Sequence, residues 1–133
     1  MVLVDTSVLI NFFRGRETNG VLLFKDLLSK SIPFGINYFI YQEILQGARN
    51  KKEFDLLHKY LSTQTFYHLR NGLKSYEDAA KIYFICRANG ITVRSTMDVL
   101  IVQTVIENNL FLLHEDRDFS NIAMYVPSLK EYN

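Results

Sequence analysis

The sequence predicts an α/β fold: one domain over residues 1–133, with a parallel central sheet flanked by helices. Three features carry that expectation. Short, wholly apolar runs at residues 1–4 and 110–113 read as strands buried on both faces, the kind that parallel sheets produce. Longer stretches between them repeat apolar residues at helical spacing, and this alternation is the pattern of right-handed β–α–β crossovers. A length of 133 residues suits one compact domain with a real core.

The first strand, residues 1–4, stops at Asp5. Val8, Leu9, Phe12 and Phe13 then recur at helical spacing over 7–14, and Gly15 ends that helix. A second amphipathic helix covers 18–31. Pro33 breaks the pattern, 34–36 give a strand, and Asn37 is a suitable N-cap for a helix over 38–46 that Gly47 closes. Phe54, Leu57, His58 and Leu61 place a helix over 52–61, whereas 65–69 fit either a strand or an irregular connection. A longer helix over 75–89 sets Ala79, Ile82, Tyr83 and Cys86 on its apolar side, with Gly90 where a left-handed cap is expected. A helix over 96–109 follows, then the apolar run 110–113, a polar cluster at 114–118, a short helical turn at 119–122 and a tail over 127–133.

Hydrophobic residues make up 48% and charged residues 22%, which argues against disorder, collagen-like repeats and a coiled coil. The N-terminus lacks the basic segment and longer apolar stretch of a secretory signal. No run approaches the roughly 18 apolar residues of a membrane span, so no membrane association is expected. Cys86 is the single cysteine, which rules out an intramolecular disulfide and fits a reducing, cytoplasmic location. Its neighbours Tyr83, Phe84 and Ile85 suggest a buried structural thiol. The formal net charge is only +1, yet with four carboxylates set aside as metal ligands the balance becomes +5, which suits a polyanionic substrate. Arg14, Arg16, the basic run 49–52, Arg87 and Arg94 are candidate phosphate contacts, or else solvated helix ends.

In open parallel sheets, ligands bind beyond the carboxyl ends of the strands, and two acids fall there. Asp5 ends the first strand and Asp116 lies three residues after the run 110–113. Asp98 stands in the first turn of its helix above a stripe continued by Ile101, Val102 and Val105, while Glu43 lies among Tyr38, Phe39, Ile40, Ile44 and Leu45. A charge beside a core-facing stripe needs a partner. Each acid also has an ordinary reading: Asp5 and Asp116 as N-caps, Asp98 as the acid of a Ser95-x-x-Asp98 capping box, and Glu43 as a solvent-facing residue. Convergence reverses the balance, because several carboxylates at one sheet edge repel one another unless a cation neutralises them. Oxygen donors without His or Cys select Mg²⁺ or Mn²⁺ over Zn²⁺, as one ion or as two about 4 Å apart. Such a centre can activate water and stabilise the charge that develops as a phosphodiester bond breaks. Thr6 and Ser7 bring hydroxyls to the same turn, either for the ion's water or for the helix cap. Gly47, one turn beyond Glu43, either leaves room for substrate or ends its helix.

Four segments, in order, are Val4-Asp5-Thr6-Ser7-Val8-Leu9-Ile10, Glu43-Ile44-Leu45-Gln46-Gly47, Asp98-Val99-Leu100-Ile101-Val102 and Asp116-Arg117-Asp118-Phe119. With the Gly90-Ile91 step before the third, they resemble the PIN-domain family, and within it the VapC-type toxins, over essentially the whole chain. The resemblance implies a Rossmann-like sheet and an Mg²⁺- or Mn²⁺-dependent endoribonuclease that is the toxin of a toxin–antitoxin pair. It also implies an RNA substrate, a cognate antitoxin protein whose tail occupies the active-site groove, and a homodimer. By position it carries catalytic and metal-binding roles to Asp5, Glu43, Asp98 and Asp116, and supporting roles to Thr6 and Asp118. His114 departs from the family's usual Thr or Ser two residues before the fourth acid. It could contact phosphate or the ion's water, or be a structural histidine at a strand end. His58 and His68 fit no motif.

Two other functions suit the same architecture. A phosphatase or phosphoacceptor would also gather acids at the sheet edge, but the phosphatase would be expected to carry Asp-x-Asp where this chain has Asp5-Thr6-Ser7, and no Gly-rich phosphate loop occurs. A catalytically silent module that binds RNA or protein would tolerate the His114 departure, but the intact acidic quartet speaks against it.

Overall fold

The computed structural model describes residues 1–133. Its strands are β1 (Val2–Val4), β2 (Phe34–Ile36), β3 (Thr65–Phe66), β4 (Phe111–Leu113) and β5 (Lys130–Glu131). All pair in parallel, in the order β3-β2-β1-β4-β5. The helices are α1 (Thr6–Phe13), α2 (Asn19–Ser29), α3 (Tyr38–Gln46), α4 (Lys51–Leu61), α5 (Leu73–Ala88), α6 (Thr96–Glu107) and α7 (Arg117–Tyr125). Leu3 and Val4 are consecutive and both fully buried, so both faces of the central strand are covered. Helix α1 packs on α2 and α3, and α3 on α4; α5, α6 and α7 pack on one another. Right-handed crossovers put the first group on one face of the sheet and the second on the other.

Side-chain caps start six of the seven helices: Asp5, Thr18, Asn37, Asn50, Ser95 and Asp116 each accept a hydrogen bond from a backbone N–H in the first turn. Gly90, at φ +77°, makes the left-handed turn expected after α5.

The differences from the sequence reading are local. The expected tail contains β5, which pairs with β4 and closes one edge of the sheet. Its two residues are both polar, so no apolar run announces it. The segment near 119–122 is the middle of a nine-residue helix, α7, and 65–69 contains only the two-residue strand β3. Tyr83 and Phe54 face outward, at 40% and 42% exposure. Helix α5 buries Ser75, Ala79, Ile82 and Cys86, a stripe that passes beside Tyr83, and α4 buries only Leu57 and Leu61. Cys86 is buried as expected, and burial pushes its thiol pKa up. No helix is long and apolar enough to cross a membrane.

Candidate active site

Strand order reverses between β1 and β4, and the turns that leave their carboxyl ends meet there. Asp5 N–H donates to Leu113 O at 2.9 Å, tying the two turns together. Asp5 is 5% exposed, and its Oδ2 accepts from both Ser7 N (3.1 Å) and Ser7 Oγ (2.8 Å). Ser7 Oγ in turn accepts from Glu115 N–H at 3.0 Å. In the second turn, Asp116 Oδ1 accepts from Asp118 N–H at 2.9 Å. Both acids therefore cap the helix that follows them, and each does so through one carboxylate oxygen. The capping reading and the ligand reading do not compete for the same atom.

Asp98 is different. Ser95 Oγ accepts from Met97 N–H at 3.2 Å, and the reciprocal Ser95–Asp98 box does not form. The Asp98 carboxyl is instead left at the site. Burial, followed by the negative charges of Asp116, Asp5, Asp118 and Glu43, pushes its pKa up to about 7. Burial also raises that of Asp5, against the pull of its Ser7 hydrogen bonds and with a contribution from Glu43. Asp98 thus feels each of the other three predicted acids, and Glu43, which reaches the site from α3, also acts on Asp5.

The tightest group is not the predicted quartet. Carboxylate oxygens of Asp98, Asp116 and Asp118 lie within 4.8 Å of one another, and Asp5 and Glu43 fall outside that triangle. Asp118, expected only in a supporting role, is buried and belongs to the cluster. Its two oxygens accept from Arg94 Nε at 3.0 Å and Nη2 at 3.2 Å. Arg94 was a candidate phosphate contact from sequence; here it is the cation facing Asp118, with Asp116 and Asp98 also within its field. Thr6 Oγ1 is buried beside Asp5 with no hydrogen-bond partner, and so is Nδ2 of Asn37, the cap of α3 at the carboxyl end of β2. An all-oxygen donor set, like charges pressed together and an orphaned buried hydroxyl together fit a hard divalent cation.

The sequence matches the family described as PIN domain over residues 2–124. The chain belongs to the PIN-domain family. It is 30% identical over 124 residues to the VapC ribonuclease Mb1587 of Mycobacterium bovis and to ribonuclease VapC11 of Mycobacterium tuberculosis, covering 92% of this chain and 92% of each relative. Among solved structures it is similar to VapBC2 from Rickettsia felis bound to a promoter DNA fragment, at TM-score 0.73 and 17% identity, covering 100% of this chain and 98% of that one. It is also similar to VapBC-1 from nontypeable Haemophilus influenzae, at TM-score 0.74 and 15% identity, again covering 100% and 98%. These neighbours share the fold at low identity.

Sequence reasoning gave little weight to two residues of this PIN domain: Ser7 as a link between the turns and Arg94 as the partner of Asp118. A hydroxyl two residues after Asp5 and an arginine four before Asp98 were visible signals. Neither has a partner that can be read along the chain. His114 is also placed: both ring nitrogens are engaged, by Glu131 and by the Asp116 backbone.

Proposed function

We propose that this PIN domain, as one unit over residues 1–133, is an Mg²⁺- or Mn²⁺-dependent endoribonuclease and the toxin of a toxin–antitoxin pair. The observation that carries the reading is the meeting of Asp98, Asp116 and Asp118, whose carboxylate oxygens lie within 4.8 Å of one another, at a place where burial and neighbouring acids push Asp98 up to about 7. Asp98, Asp116 and Asp118 would hold the ion, with Asp5 and Glu43 adding their charge to the site. When bound, the cation supplies Lewis acidity toward a scissile phosphate and makes water a stronger nucleophile. The chain's own residues do the rest. Ser7 and Asp116's own cap geometry orient Asp5 and Asp116, and Thr6 offers a hydroxyl beside them. With an ion held by these acids, Arg94, whose side chain is exposed, would be available to an RNA phosphate.

The names of the relatives support the ribonuclease activity, and the solved VapBC assemblies support an antitoxin protein as partner. A homodimer is supported by α5, which leaves Tyr76, Tyr83 and Phe84 uncovered on one side. The lone buried cysteine suits a cytoplasmic location. The purified protein is expected to cut RNA internally with Mg²⁺ or Mn²⁺ and to stop when a chelator is added. Cleavage that persists in chelator would refute metal dependence, and binding of RNA without cleavage would support the silent module. Expression without its partner should arrest growth.

A further inference from the structure

The turn that carries Asp116 is not braced by its immediate neighbours alone. His114 Nδ1 accepts from Asp116 N–H at 3.1 Å. A backbone amide can only donate, so Nδ1 carries the lone pair and the ring proton sits on Nε2. Nε2 lies 2.7 Å from Glu131 Oε2 and donates to it. The same carboxylate oxygen accepts from Ser120 Oγ on α7 at 3.1 Å. The His114 side chain is 7% exposed and packs its ring 5.2 Å from that of Phe119, so it has little freedom to leave this arrangement. Glu131 owes its place to β5: Leu112 pairs with Glu131, and Tyr132 N–H donates to Leu112 O at 2.9 Å.

We infer that Glu131, acting through His114, is a positioning residue for Asp116. The carboxylate selects the imidazole tautomer that can receive the Asp116 N–H; the other tautomer would set two N–H donors against each other. The turn from which Asp116 and Asp118 project is thereby held from a strand 15 residues further along the chain. A carboxylate that orients an imidazole, which in turn orients a ligand-bearing turn, acts on cation affinity without touching the cation or the RNA. The inference rests on Asp116 being among the acids that bind the ion.

Mn²⁺ affinity, measured by electron paramagnetic resonance of the free ion on the intact protein, tests this independently of RNA cleavage. Glu131→Ala is expected to weaken Mn²⁺ binding by about tenfold to a hundredfold. Glu131→Gln keeps an oxygen able to accept from Nε2–H and should recover most of the loss. Ser120→Ala, which removes the carboxylate's other partner without touching His114, should leave Mn²⁺ binding within about twofold of the parent. Nitrogen-15 NMR of the parent should show His114 protonated at Nε2, a readout that does not depend on Glu131→Ala folding. Equal Mn²⁺ affinity in the parent and Glu131→Ala, or a ring protonated at Nδ1, overturns the inference and leaves the nuclease reading standing. A parent that binds no Mn²⁺ overturns both, and one that binds Mn²⁺ but cuts no RNA overturns only the nuclease reading.

Discussion

The turns after β1 and β4 each deliver an aspartate that caps the next helix, but they are braced in different ways. Asp5 is held within its own turn by Ser7, through a backbone and a hydroxyl donor. Asp116 depends on a ring from the end of β4 and a carboxylate from β5. The first turn sits at the centre of the sheet, between β2 and β4, where a short local brace suffices. The second lies beside an edge strand and needs a remote clamp. One turn can therefore be read from three consecutive residues, and the other only from a strand pair.

The sharpest test of whether both turns serve one site is Asp98, which faces them from α6. Asp98→Asn removes one ligand charge at the point where the other acids converge, and RNA cleavage should fall by about a hundredfold or more. Cleavage at the parent rate would mean that the turns do not act together. Next in size is the cation itself. Mn²⁺ at a hundred times its dissociation constant should stabilise the fold by about 2.7 kcal/mol, read as a higher Tm that chelator removes.

The pH profile sharpens the same point. Burial and the neighbouring acids push the Asp98 carboxyl up to about 7 in the folded chain from its ordinary 3.8, so between these values the folded state binds more protons than the unfolded one. Stability of the metal-free protein should then fall as pH rises from about 4 to about 7, seen as a falling Tm in chelator. With Mn²⁺ present the trend should flatten or reverse, because ligation favours the ionised carboxylates. A metal-free Tm that climbs steadily over that window would argue that the acids do not crowd one another.

Smaller effects probe the local brace. Ser7→Ala removes the hydroxyl that links Asp5 to the Glu115 backbone and should destabilise by about 1 kcal/mol in urea unfolding, with the larger share of any Mn²⁺ loss assigned to Asp5. Gly20→Ala would place a methyl 2.5 Å from Cγ of Glu115, pushing that side chain off Thr18. Glu115 is exposed and flexible, so the cost should stay near 0.5 kcal/mol, with cleavage unchanged. A large loss from Gly20→Ala would show that the β4 turn also relies on the contact of Glu115 with Thr18, the cap of α2.

Strands β1, β2 and β4 were legible because each is a short apolar run, and helix starts were legible because Asp5, Asn37 and Asp116 cap through their own next few residues. The acids were legible as a set, through their position after strands and beside apolar stripes. Their relative nearness was not: Asp118 joins Asp98 and Asp116 in the closest triangle while Asp5 and Glu43 stand outside it. Two residues apart, as the cap and in the first turn of α7, Asp116 and Asp118 look from sequence like a ligand and a neighbour. Only the approach of α6 brings both within reach of Asp98.

By itself, then, the sequence determined what is periodic or local: the alternation of apolar runs and amphipathic helices, the caps, and the presence of acids where a parallel sheet opens. Tertiary structure alone decided what depends on pairing across the chain. The polar strand β5 exists because β4 offers it backbone partners, Arg94 meets Asp118 because the loop before α6 converges on the start of α7, and Glu131 meets His114 because β5 runs in register with β4. The physical reason is that hydrogen bonds and charge pairs between distant residues leave no period in the sequence, whereas burial of a strand or a helix face must repeat along it.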